Sequence, residues 1–313
     1  MRLCSIARGR GDIARARRIM CNCFVMLLAT GFALMAVCYL GMKPILYLFG
    51  ASDATWPFAR DYLYIYLLGT PFVMVGLGMN SFVNAQGFGR MGMMTVALGA
   101  VVNLILDPIF IFGFNMGVQG AALATIISQF VSVFLCMGRL MNPVSGECQV
   151  KWREVRFDPE MTRMILSYGL TSGLQNSVIA LANVVVQSNI NSFGEMAMSG
   201  CGAYAKVEGF AFLPVTCFTM AITTFVGQNY GAGKGERVHK GIRVCLGMTV
   251  VTTVVVSFLQ YHFGVYLYEL FTKDAEVVRI GIDVLHFMVP VYITYVGIEI
   301  ISGALRGIGD CWI

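Results

Sequence analysis

The chain has 313 residues, 57% of them apolar and only 12% charged, with a mean hydropathy of +0.72. An ordinary soluble domain carries about 25% charged residues, so the composition excludes a disordered chain and most soluble enzymes and leaves a polytopic membrane protein. The net charge of +5 is too small to argue for nucleic acid.

Eight segments supply the roughly 20 mainly apolar residues that a membrane-spanning helix needs. They run over 21–42, 61–85, 91–114, 117–137, 164–192, 199–226, 244–264 and 280–305. The third and fourth are separate helices, because 112–117 is a Gly/Asn break. The runs do not alternate as barrel strands do. The basic stretch before the first span resembles a signal peptide, but 21–42 is long enough to span and seven more spans follow. The ten cysteines sit mostly within the apolar runs and show neither CxxC nor Cys/His metal spacing, so they read as small apolar fillers.

Lys and Arg in the connections set the orientation. One side holds 17 of them and the other 4, with Lys206 inside a span. Both ends of the chain are therefore expected in the cytoplasm, in a multi-pass protein of the plasma membrane. The long polar connection between the fourth and fifth spans gives the expected division: 1–142 as one part, 143–160 as a cytoplasmic linker, and 161–313 as the other.

Ionisable groups within a span are costly and point to function. Asp107 lies deep in the third span, four residues after Asn103, so the two share a helix face. A carboxylate beside an amide oxygen suits a hard cation such as Na+; isolated in an apolar setting it would instead carry a proton; at the turn before Pro108 it would serve as a cap. In the fifth span Ser172, Asn176, Asn183, Gln187 and Asn191 fall on one stripe, suited to lining a cavity or to bonding between helices. Lys206 and Glu208 are two apart and cannot pair on a helix, so each is expected to meet other partners. The glycine-rich run 231–236 lacks the Ser or Thr that would follow the lysine of a phosphate loop. The three histidines stand apart, with no nucleophile motif near them, and no enzyme activity or cofactor is expected.

Internal similarity organises the rest. Gly9-Arg10-Gly11-Asp12 matches Gly233-Lys234-Gly235-Glu236 at an offset of 224; Leu48-Phe49 with Asp53-Ala54 echoes Leu270-Phe271 with Asp274-Ala275; Gln86-Gly87-Phe88-Gly89 echoes Arg306-Gly307-Ile308-Gly309 at 220. Six spans separate the first pair, so the copies enter the membrane in the same direction, a parallel repeat. A six-span unit needs two more spans before the first copy and two after the second. The chain is therefore expected to be a fragment, the alternative being a true eight-span protein.

Several segments resemble the multidrug and toxin extrusion (MATE) family, in its DinF-like and MepA-like branch. They are Asn84-Ala85-Gln86-Gly87; Asn103-Leu104-Ile105-Leu106-Asp107-Pro108 and the apolar residues after it; Met116-Gly117-Val118-Gln119-Gly120; Glu208-Gly209-Phe210; and Phe225-Val226-Gly227-Gln228-Asn229. The resemblance implies an all-α membrane bundle of two pseudo-symmetric six-helix lobes, with spans three to ten present here. It also implies an antiporter that exports organic cations and amphipathic drugs against Na+ or H+, acting as a monomer in the lipid bilayer. By the same resemblance the cation site matches Asn80, Asn103, Asp107 and Thr125, with a further Asp on the family's first span having no counterpart. The substrate cavity is expected at Asn176, Asn183, Gln187 and Glu208. A lipid-linked oligosaccharide flippase of the same superfamily would need several basic residues in its cavity, where Lys206 is the single candidate. A membrane assembly subunit remains the alternative from another class.

Overall fold

The computed structural model describes residues 2–48, 53, 56–142, 148–151 and 154–309, without the side chains of Arg2, Leu48, Asn191 and Glu195. The described residues form helices and no strand. In chain order these are α1 (Arg2–Gly9), α2 (Ile13–Leu40), α3 (Met42–Leu48), α4 (Trp56–Ala85), α5 (Gly89–Pro108), α6 (Gly117–Met141), α7 (Pro159–Ser192), α8 (Glu195–Gly231), α9 (Gly235–Glu269), α10 (Ala275–Met288) and α11 (Tyr292–Ile308). Among the described residues eight stretches are long and apolar enough to cross a membrane, with α10 and α11 together making the last. The expected eight spans are thus present, and most are longer than the apolar cores read from sequence. The first begins at Ile13 rather than residue 21, because Asp12 caps the helix by accepting from Arg15 N at 2.9 Å, so the basic stretch is already helical.

Two breaks interrupt the spans. Pro108 has no N–H to give, and the chain widens after it into a π turn, Ile109–Gly113, in which Phe114 N reaches Ile109 O at 2.9 Å and Met116 N reaches Phe110 O at 3.1 Å. The last span passes through a 3₁₀ turn at Val289–Val291, around Pro290.

Chain contacts divide the protein into two units, Leu3–Ile165 and Leu166–Ile313. The division falls five residues later than the sequence suggested, within α7, because the linker and the first turn of α7 pack onto the first unit. Asn22, buried in α2, donates to Thr162 Oγ1 at 3.0 Å and accepts from Asp158 N at 3.0 Å. Gln86, buried at the end of α4, grips Cys148 at both backbone groups, each at 3.1 Å. Arg17 pairs with Glu154 at 2.7 Å. The Cys4 thiol bonds the Cys148 sulfur, which draws Cys148 down to about 7, helped by the charges of Arg8 and Arg17; the same bond, with burial, pushes Cys4 up. Trp152 and Arg153 of this connection lie outside the described residues, as do Phe49 and Ala54 of the repeat.

Lipid offers helices no hydrophobic drive to associate, so spans meet where small residues let backbones approach. In the first unit a Cβ on Gly31 would lie 2.9 Å from Pro71 Cα, and one on Gly76 would lie 2.9 Å from Val133 Cγ2. These glycines join α2 to α4 and α4 to α6. In the second unit α8 packs on α9, α10 and α11. Thr223 donates to Gly303 O at 2.8 Å, Tyr268 to Gly281 O at 2.9 Å, and Gln260 to Val207 O at 2.8 Å.

The structure also fixes the phase of the repeat. The glycines with positive φ at the starts of α2 and α9 are Gly11 and Gly233; those that end α4 and α11 are Gly87 and Gly309. Both pairs are 222 residues apart, so the constant spacing replaces the offsets of 224 and 220 read from the sequence. Only glycine tolerates this conformation cheaply, which makes these positions better landmarks than the surrounding letters.

Candidate functional site

The first unit encloses a cavity of about 270 Å³ among α4, α5 and α6. Its lining includes Asn80 from α4, Thr95 and Asn103 from α5, and Thr125, Ser128 and Ser132 from α6. Three of the four residues expected at a cation site therefore share one cavity. Asp107 stands outside that lining, one helical turn further along α5, and accepts from Asn103 Nδ2 at 3.3 Å. Asp107 and Asn103 are both partly exposed.

The hydroxyls around the cavity spend their protons on the backbone. Thr125 donates to Ala121 O at 2.9 Å, Ser128 to Thr125 O at 2.7 Å, and Ser132 across to Thr95 O at 3.1 Å. Thr95 donates to Gly92 O at 2.8 Å and stands 3.3 Å from Asn80 Oδ1. Hydroxyl oxygens arranged in this way keep lone pairs available, which is the donor type that a hard cation prefers. Gly99 makes room for the set: a Cβ there would overlap Ser132 Oγ and lie 3.1 Å from Ser128 O. Thr95, Ser128 and Ser132 escape a reading by sequence. A Ser or Thr in a membrane helix looks the same whether it back-bonds in place or faces a cavity.

The residues expected at a substrate cavity are dispersed. Asn176, Asn183 and Gln187 are exposed along α7, whose most apolar window has 0% of its residues buried. They line neither the cavity above nor two others, of about 510 and 440 Å³. The α7 side chain of Gln175 instead accepts from Arg306 Nη2 at 3.4 Å. The Asn191 side chain lies outside the described residues. Glu208 accepts a short hydrogen bond from Tyr204, one turn before it on α8, and the Tyr204 hydroxyl lies 3.1 Å from that of Tyr292. Lys206 sits over the ring of Phe271 at 5.3 Å, so Lys206 and Glu208 do find separate partners. Among the described residues no cluster of three or more His, Cys, Asp or Glu could hold a metal.

The family model described as MatE matches residues 2–109 and 172–312. The chain is 28% identical over 310 residues to the probable multidrug resistance protein YpnP of Bacillus subtilis, covering 96% of this chain and 67% of that protein. It is 25% identical over 282 residues to a FAD transporter of Shewanella oneidensis, covering 87% of this chain and 61% of that protein. A solved outward-facing MATE family multidrug resistance transporter superposes with a TM-score of 0.91 at 21% identity, covering 99% of this chain and 69% of the other. The chain thus spans about three-fifths to two-thirds of the length of these curated relatives. These shares do not establish the expectation that helices are missing at its ends. The match over both units identifies the chain as a member of the MatE family, the multidrug and toxin extrusion family that its sequence resembles.

Proposed function

We propose that the chain forms the ion-coupling framework of a secondary antiporter that exports organic cations and amphipathic drugs in exchange for Na+ or H+. The observation that carries this reading is the convergence of Asn80, Asn103 and Thr125 on one cavity, with Asp107 hydrogen-bonded to Asn103. Cation binding to oxygen ligands at this place would favour one of two alternating forms of the transporter. Asp107 supplies the charge, Asn103 orients it, and Asn80 and Thr125 complete the oxygen set. The multidrug resistance name of the Bacillus relative supports the substrate class. The reading places the protein in the cytoplasmic membrane as a monomer, with both ends of the chain on the cytoplasmic side. No enzymatic step is assigned to it.

The test is ethidium accumulation in a drug-sensitive bacterial host, with and without an imposed Na+ gradient. Asp107→Asn is expected to abolish gradient-driven export while membrane insertion, read by fractionation, stays intact. Export unchanged in that variant would refute the mechanism.

A further inference from the structure

A cavity of about 510 Å³ in the second unit lies between the end of α8 and the first turns of α9. On α9 it is lined by Arg237, Lys240, Val244 and Met248, and on α8 by Phe218 and Phe225. These α9 positions recur every three to four residues, so they form one face. From Arg237 to Met248 that face descends about 16 Å along the helix axis. Both cations sit at its upper end, in the exposed first turns of α9, and the deeper lining is apolar. No carboxylate is among the lining residues.

The repeat spacing shows what is unusual about this face. At 222 residues, Gly241 corresponds to Ile19 and Val244 to Asn22. In the first unit Ile19 is buried and Asn22 holds the linker through Asp158 and Thr162. In the second unit a glycine and a valine stand in those places and line the cavity. A Cβ on Gly241 would overlap the ring of Phe225, so the glycine lets that ring lie against α9 and line the cavity.

We propose that this cavity binds one anionic phospholipid, with its phosphate held by Arg237 and Lys240 and an acyl chain lying along Phe218, Phe225, Val244 and Met248. The charge gradient of the cavity matches the order of such a molecule, anionic at the water surface and apolar below. The location also fits, since the cations belong to the side of the chain that carries 17 of its Lys and Arg residues, where basic pockets between spans meet anionic headgroups. A polypeptide occupant is disfavoured, because the amide that grips one in the first unit is replaced by Val244.

Native mass spectrometry of the purified chain, titrated with dioleoyl-phosphatidylglycerol or dioleoyl-phosphatidylcholine, tests this. The wild type is expected to retain one phosphatidylglycerol about 30-fold more tightly than phosphatidylcholine, as two surface cations allow. Arg237→Gln with Lys240→Gln should bring the two lipids to parity. Lys234→Gln with Arg243→Gln removes the same charge from outside the cavity and should leave the preference intact. Gly241→Leu should weaken both lipids, because the Phe225 ring it displaces and the added side chain would crowd the cavity. Circular dichroism checks that every variant is helical. Equal loss in both charge variants, equal affinity of the wild type for both lipids, displacement of the lipid by millimolar inorganic phosphate, or full binding by Gly241→Leu would each overturn the proposal.

Discussion

The two units place different side chains at the same helix start. At the first turns of α2 the linker lies on the protein and is held at Asn22, Gln86 and Arg17. At the equivalent turns of α9 Val244 stands in the place of Asn22 and lines a cavity with Arg237 and Lys240. The polar groups differ in the reverse sense. In the first unit they face a cavity; in the second, Glu208, Tyr204 and Tyr292 bond one another. A repeat that keeps its backbone turns thus carries different side chains at the same positions. A polar side chain recruits a polypeptide partner because an unpaired buried backbone group is costly, and a small or apolar one leaves space.

Substitutions that exchange these features should break the contrast. The largest effect is expected from Gln86→Leu, which strands the buried N–H and C=O of Cys148 and should cost about 2–4 kcal/mol. Thermal unfolding in detergent and faster proteolysis between 148 and 158 would show it; an unchanged cleavage rate would mean that the linker is held elsewhere. Asn22→Val gives α2 the residue of α9 and should cost about 2 kcal/mol, again with a loosened linker. Gly241→Ile performs the reverse exchange. It should cost about 1–2 kcal/mol, because the Phe225 ring must move, as overpacked sites do. Glu208→Gln should cost less than about 1 kcal/mol, since the amide oxygen can still accept from Tyr204; a larger loss would show that the negative charge itself is needed. Arg17→Gln is expected to have the smallest effect, under about 1 kcal/mol and vanishing in high salt, because both partners of its ion pair are partly exposed.

The spans were legible because about 20 apolar residues in a row have few other uses. Asp107 and Asn103 were legible because four-residue spacing puts them on one face. Asn80 and Thr125 entered only by family resemblance, since nothing in a single helix says which neighbour it will face. Gln86 and Cys148 are 62 residues apart, and no local pattern announces that a glutamine will close on a distant backbone. The break at Pro290 was missed for a related reason: the apolar pattern runs through it, and hydropathy does not register a lost N–H. The stripe on α7 shows the converse limit. A helical wheel tells which residues share a face but not what that face meets, and along α7 the structure leaves Asn176 and Asn183 exposed.

The π turn after Pro108 bears on how the proposed ion site could move the protein. A regular helix resists bending because each residue is tied to the turn before it. Where α5 meets Pro108 that tie is already absent; Ile109 N reaches back only three residues to Leu106 O, and bonds further on span five and six residues instead of four. Curvature there can change without breaking a further hydrogen bond. Asp107 is the residue immediately before this soft point. Neutralising or coordinating its carboxylate is therefore expected to alter the bend of α5 directly, so that a local change of charge becomes a displacement of the far end of the helix.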